Sequence, residues 1–235
     1  MRRKWAVLGL TVATMVATAP EPPQERLVRV YGDLAGAERI AVVVPGSDTT
    51  AAAFERGHHR PGGAARALLA EAGRIAPGTK VAVVAWLGYD SPAMLSLHTV
   101  MTDRARAGGA ALSRTLESLA RRTSAPITLI CHSYGALVCG HTRLGPGVRT
   151  VAIGSPGLAD GAAPDWAGMA GGDWVARVPR LRIGPIGYGA DPRSAARVFA
   201  TGTGGHSDYF APGGVSLRNL TLLVLRFYDR VSSTA

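Results

Sequence analysis

Beyond its first nineteen residues the chain alternates between short runs of β-branched residues and longer Ala-rich stretches with apolar positions at helical spacing. The runs at 26–31, 39–44, 80–86, 127–131 and 150–153, with a shorter one at 167–170, predict strands. Several are apolar without interruption, such as Ile40-Ala41-Val42-Val43-Val44. That is the pattern of strands covered on both faces, not of half-exposed ones that alternate. Helical patterns fill 62–72, 103–122, 133–142 and 217–231. The last carries Leu217, Leu220, Leu223 and Val224 for packing on a sheet, while Arg218, Asn219 and Arg226 argue against a membrane span. Strands alternating with helices imply right-handed crossovers. The expected fold is a mostly parallel, doubly wound α/β sheet with helices on both faces.

The N-terminus follows a different pattern. Arg2-Arg3-Lys4 precedes an uncharged, mostly apolar run from Trp5 to Ala19, and Ala17-Thr18-Ala19 offers small residues for cleavage. Residues 1–19 therefore read as a signal peptide. The run is shorter than the ~20 residues a spanning helix needs, which favours export over the alternative of an uncleaved membrane tether. Residues 20–37 read as a Pro/Glu-rich spacer and first strand, and 38–235 as one α/β domain. The expected location is the medium or the cell envelope.

Composition changes this picture in one respect. The formal charge is +10, falling to +7 without residues 1–19. The excess is diffuse arginine: Lys4 and Lys80 are the only lysines, and no basic stretch is interleaved with aromatics. Charge of that kind gives non-specific attraction only, so no nucleic-acid partner is expected. The two cysteines, Cys131 and Cys139, fall on a strand and in the following helix. A bridge between them is not expected on that geometry, and both are read as free and buried. Ligand spacing for a metal is lacking, since His206 and Asp208 alone make no site; no cofactor is expected.

The candidate chemistry centres on Cys131-His132-Ser133-Tyr134-Gly135, between the strand at 127–131 and an Ala/Leu/Val helix. A G-x-S-x-G elbow needs this strand-to-helix context, because the sharp turn lifts the serine hydroxyl above the carboxyl ends of the strands. Gly135 meets the need for a small residue; Cys131 stands where the first Gly belongs. Ser133 is the candidate nucleophile, and the Tyr134 N–H would face a developing oxyanion. The second donor is expected from Pro45-Gly46-Ser47 after an early strand, through the Ser47 N–H. His206, in a loop before the last helix, suits a general base. The orienting acid lies between Ser133 and His206 in this chain order. Asp173, after a short strand and Gly171-Gly172, is preferred; Asp191, before Pro192, is the alternative and could instead cap a helix. Asp160 and Asp165 read as surface residues. His58-His59-Arg60 reads as a solvated loop, with pocket lining as the alternative. Only sixteen positions separate Gly157 from Asp173, too few for a large lid.

These motifs, with Gly154-Ser155-Pro156-Gly157, Asp173-Trp174, Asp191-Pro192 and Gly205-His206-Ser207-Asp208-Tyr209-Phe210, resemble the actinobacterial α/β-hydrolases of unknown function (the DUF1023 group). The resemblance runs from about Arg39 to Asp229. It implies an α/β-hydrolase fold and a metal-free Ser133–His206–Asp173 serine hydrolase, and leaves the substrate open; the nucleophile and base by themselves suggest a small-molecule or lipid-like ester. Two other readings stand beside it. One is a non-catalytic binding module on the same scaffold, which Cys131 in the elbow would suit. The other is a cutinase-like or lipase-like interfacial esterase, against which the expected lack of a disulfide counts.

Overall fold

The computed structural model describes residues 25–94, 101–184 and 186–234. The expected signal peptide lies outside them. The chain forms β1 (Leu27–Tyr31), β2 (Arg39–Val44), α1 (Pro61–Ile75), β3 (Val81–Leu87), α2 (Asp103–Ala120), β4 (Ile127–His132), α3 (Gly135–Gly140) and β5 (Val148–Ile153). It continues through β6 (Trp166–Gly168), β7 (Arg182–Ile183), β8 (Ile186–Gly187), β9 (Arg197–Val198) and α4 (Val215–Leu225).

Seven strands make one sheet in the order β1-β3-β2-β4-β5-β6-β9. All pairings are parallel except that of β1, which runs antiparallel to β3 at the edge. The doubly wound α/β reading is therefore correct. β2 sits between β3 and β4, with Ile40 opposite Ala82 on one side and Val44 opposite Cys131 on the other. Helices α1 and α4 pack together, and so do α2 and α3, covering the two faces. Residues Ile40 to Val44 are consequently all buried, which explains their uninterrupted apolar run. At the edge, by contrast, Val28, Arg29 and Val30 are exposed, and the charges of Arg29 among them and Arg26 just before the strand discourage edge-to-edge pairing.

The sequence pattern placed some boundaries differently. The helix expected from residue 133 starts at Gly135, because Ser133 has φ 55° and cannot continue a right-handed helix. The helix expected to run to residue 231 stops at Leu225, where Arg226 takes a left-handed conformation. The strand expected at 167–170 lies at Trp166–Gly168, and its partner β9 carries no apolar run that would have announced it. No helical insertion separates β5 from Asp173, so no large lid arises between those elements.

One expectation is overturned. Cys131 and Cys139 form a disulfide, with Cα atoms 6.4 Å apart, inside the range a bridge requires. The elbow supplies the reason. The reversal at Ser133 folds α3 back over the end of β4, so a residue eight positions on returns beside the strand. Both sulfurs are buried as expected; they are not free. The Cys131 side chain, too large for the usual elbow position, is accommodated by bonding to the helix it would otherwise press against.

Candidate active site

The carboxyl ends of β2, β4 and β6 and the loop before α4 converge on one point. Ser133 follows β4 directly, in a backbone region that costs a non-glycine residue ~1–3 kcal/mol. Its surroundings hold it there. The Ser133 N–H donates to the Ile153 carbonyl at 2.9 Å, and Gly135 is packed so closely that a Cβ would lie 2.5 Å from the Pro45 carbonyl oxygen. A larger residue at 135 would push the β2 loop off the elbow.

That loop is the second component. A Cβ on Gly46 would stand 2.6 Å from Ser133 Cβ and 3.1 Å from its Oγ, so only glycine lets this backbone reach the hydroxyl. The loop is braced from all sides. Tyr89 Oη donates to the Pro45 carbonyl (2.8 Å), Ser91 Oγ and Thr49 Oγ1 to that of Gly46 (2.9 and 3.0 Å), and Arg60 Nη1 to that of Asp48 (2.6 Å). Among the described residues, neither the Ser47 N–H nor the Tyr134 N–H donates to a protein acceptor. Two free donors in a rigid frame, beside a hydroxyl, are positioned to meet a developing negative charge.

The third component joins Asp173 and His206. His206 Nδ1–H donates to the Asp173 carboxylate, 2.9 Å from each oxygen. Asp173 is fully buried and also accepts from Tyr209 Oη (2.6 Å) and the Val175 N–H (2.9 Å). Burial pushes its carboxyl up, but the hydrogen bonds from His206, Tyr209 and Val175 outweigh it and hold the group below the usual carboxylate range. Burial, with the Asp173 contact adding to it, pushes the Tyr209 phenol well up, so Tyr209 stays a neutral donor. His132 braces the other side of the imidazole loop: its Nε2–H donates to the His206 carbonyl at 2.9 Å. Burial, and then the neighbouring His206, depress the His132 ring to about 3, so it is neutral at working pH. The His206 ring lies between His132 and Trp174, with centroids 4.6 and 5.4 Å away.

Ser133, Ser47, Tyr134, His206 and Asp173 thus share one site. Asp191 does not join it: its carboxylate caps the turn at Pro192–Ser194 and pairs with Arg193 (2.7 Å) and Arg180 (3.5 Å). Asp160 pairs with Arg106, Arg182 and His141, and Asp165 with Arg149 and the Thr150 N–H. Sequence reasoning missed the braces, Tyr89, Ser91, Tyr209 and His132. The run Gly205 to Phe210 contained Tyr209, but nothing in a lone Tyr announces a carboxylate 36 positions upstream. His59 and Arg60, read as a solvated loop, line the site. Two cavities meet at Ser47, Met94 and Ser133. One of about 360 Å³ is lined by Met94, Tyr134, Pro156, Trp174, Val175, Val178 and Tyr188. The other, about 120 Å³, is lined by Gly46, Asp48, Thr49, His59, Arg60, His132, His206 and Ser207. No group of three or more metal-ligating side chains occurs among the described residues.

A serine on a strand-to-helix elbow, at the carboxyl end of a mostly parallel sheet and lining one cleft with a histidine bonded to a buried carboxylate, is the arrangement of the alpha/beta hydrolase class. The chain belongs to the Abhydrolase_8 family of alpha/beta hydrolases, whose sequence model matches residues 21–183. Uncharacterized proteins of Mycobacterium tuberculosis (strain ATCC 25618 / H37Rv) and Mycobacterium bovis are each 34% identical over 156 residues, covering 63% of this chain and 58% of theirs. The chain therefore spans less than two thirds of the length of the curated relatives it matches. Among solved structures, esterase PE8 superposes with a TM-score of 0.54 at 16% identity, covering 86% of this chain and 99% of that one; the likeness is one of fold.

Proposed function

We propose that the protein hydrolyses carboxylic esters through an acyl-enzyme on Ser133. The observation that carries this reading is the two-oxygen contact between buried Asp173 and His206 Nδ1, with His206 and Ser133 lining the same cleft. His206 Nε2 takes the Ser133 proton as Oγ attacks the ester carbonyl, and Asp173 fixes the tautomer and stabilises the imidazolium. The oxyanion is received by the Ser47 and Tyr134 N–H groups, each such donor contributing ~10²–10³-fold in turnover. Collapse expels the alkoxide, which takes its proton from His206. Water then repeats the sequence on the acyl-enzyme and releases the acid. The binding-module alternative drew on Cys131; the bridge to Cys139 gives that residue a structural role and leaves the elbow intact. The test is labelling by a fluorophosphonate together with turnover of nitrophenyl esters of rising acyl length. Wild type should label and turn over, and Ser133→Ala should do neither. A wild type that does neither overturns the proposal.

The interfacial variant of this reading has its own support. Val178 and Tyr188 line the larger cavity on either side of the β7–β8 pair, whose flank carries Leu181, Ile183 and Ile186 at 64, 71 and 55% exposure. Exposed apolar side chains of this kind, with half-exposed Trp174 lining the cavity itself, suit contact with an ester interface. The bridge also removes the objection that the chain lacks a disulfide. A rate that climbs as the ester passes its solubility limit is the expected behaviour; smooth saturation through that limit would refute it. The same bridge supports export, since disulfides persist in oxidising compartments. A mature N-terminus near Pro20, read by mass spectrometry, is expected; an intact Met1 would refute it.

A further inference from the structure

The two cavities beside Ser133 differ in chemistry. The larger, about 360 Å³, presents Pro156, Trp174, Val175 and Val178, with Met94 at the boundary of both. The smaller presents Asp48, Thr49, His59, Arg60 and Ser207. Which cavity takes which half of an ester follows from the proton transfers. The group that protonates the leaving alkoxide must lie beside it, and His206 lines the smaller cleft and not the larger. The alcohol therefore leaves through the polar cleft, and the acyl chain occupies the apolar one.

The polar cleft also shows what kind of alcohol suits it. Arg60 Nη1 is anchored on the Asp48 carbonyl and approaches Thr49 Oγ1 (2.6 and 3.4 Å), and among the described residues its other N–H groups have no protein acceptor. Asp48 accepts the Met94 N–H through Oδ1 at 3.0 Å, and among the described residues Oδ2 has no protein donor. Burial, then the Arg60 charge, lower the His59 pKa, so this ring is neutral and offers one donor and one acceptor. Ser207 offers both as well. A phosphate would meet the Asp48 carboxylate, and an ammonium group would meet the Arg60 guanidinium. Hydroxyls, which donate and accept, can meet Asp48, His59, Arg60 and Ser207 together. The volume of about 120 Å³ suits an alcohol of glycerol size.

Building on the hydrolytic reading, we propose that the substrate joins an apolar acyl chain to an uncharged polyhydroxyl alcohol, whose hydroxyls are recognised by Arg60, Asp48, His59 and Ser207. The experiment compares two esters with the same acyl group and the same alcohol carbon skeleton, 1-hexanoylglycerol and propyl hexanoate, below their aggregation limits, by titrating the released acid. Because hydrogen bonds to charged groups are involved, the glycerol ester should have a kcat/KM about 10–100-fold above the propyl ester. In Arg60→Gln and Asp48→Asn that ratio should fall about tenfold or more, with melting temperatures recorded alongside. A wild-type ratio near one overturns the proposal without any variant. So does a ratio that persists in both variants, or a preference for 1-hexanoylglycerol 3-phosphate over 1-hexanoylglycerol. Turnover of both esters at equal rates removes this inference alone. No turnover of either, with Ser133 unlabelled by fluorophosphonate, removes the hydrolytic reading and this inference with it.

Discussion

The bridge between Cys131 and Cys139 fastens the strand that enters the elbow to the helix that leaves it, and its worth can be put in numbers. It spans eight residues, and the chain-entropy relation for a loop of that size gives about 2.5 kcal/mol. For a domain of this length each kcal/mol moves Tm by about 2–4 °C, so reduction should lower Tm by about 5–10 °C. The perturbation is made in two ways. Wild type is melted with and without a strong reductant, and Cys131→Gly/Cys139→Ala, which restores the small residue usual at the elbow, is melted under the same conditions. The double variant should melt low and ignore reductant, while wild type should fall toward it. Because both sulfurs are buried, the bridge should resist mild reductant until the fold opens, which makes the effect depend on scan rate. Thiol titration of denatured, unreduced protein should find no free thiol. Two thiols per chain, or equal shifts of wild type and variant with reductant, would refute the reasoning.

Asp173→Asn should cost about 10³–10⁴-fold in kcat by stabilising the wrong imidazole tautomer, whereas Asp191→Asn, which weakens partly buried pairs with Arg193 and Arg180 away from His206, should cost far less; ester turnover by both variants decides. Gly46→Ala should lower stability by about 1–3 kcal/mol and kcat more than KM, since the new methyl collides with Ser133; denaturant melts and kinetics check it. His132 titrates in the fold at about 3 but near ~6.5 in the unfolded chain. The unfolded chain therefore binds a proton that the folded one refuses, and stability present above pH ~6.5 is lost as pH falls toward 3. Denaturant midpoints at pH 7 and 4.5 should show this loss, and His132→Asn should flatten it. That window lies above the range in which Asp173, whose folded pKa is depressed, gives up its own contribution.

What the sequence revealed and what it hid divide along a physical line. Uninterrupted apolar runs at 39–44 and 127–131 announced buried parallel strands, because burial on both faces leaves no polar alternation. The elbow was legible through Ser133 and Gly135, since sterics at a sharp turn restrict residue type locally. His206 and Asp173 were legible through order along the chain and position after a strand or before a helix. The bridge was not legible: placing Cys131 on a strand and Cys139 in a helix describes each locally and omits the reversal at Ser133 that brings them together. The braces were hidden for a related reason. Tyr209 meets Asp173, and Ser91 meets Gly46, across 36 and 45 positions, and no pattern at either end records such a pairing. Arg60 was read as solvated because a charged residue before a helix usually is.

The order of the central strands explains why the site forms where it does. β2 is followed in sequence by β3, yet in the sheet it separates β3 from β4. The chain thus leaves β2 toward one side and returns on the other, and the connections leaving β2 and β4 open a crevice above their paired carboxyl ends at this reversal. The loops that fill it are those carrying Ser47 and Ser133, adjacent in space because Val44 pairs with Cys131. Glycine at 46 and at 135 then lets the two backbones close on each other. Neither loop needs the substrate to set the distance between nucleophile and donors, since the sheet has fixed it. The acid and base come from the far side, after β6 and before α4, and reach the crevice through a single buried carboxylate with four hydrogen-bond contacts. A change that loosens β2 against β4 should therefore damage turnover before it damages the Asp173–His206 pair.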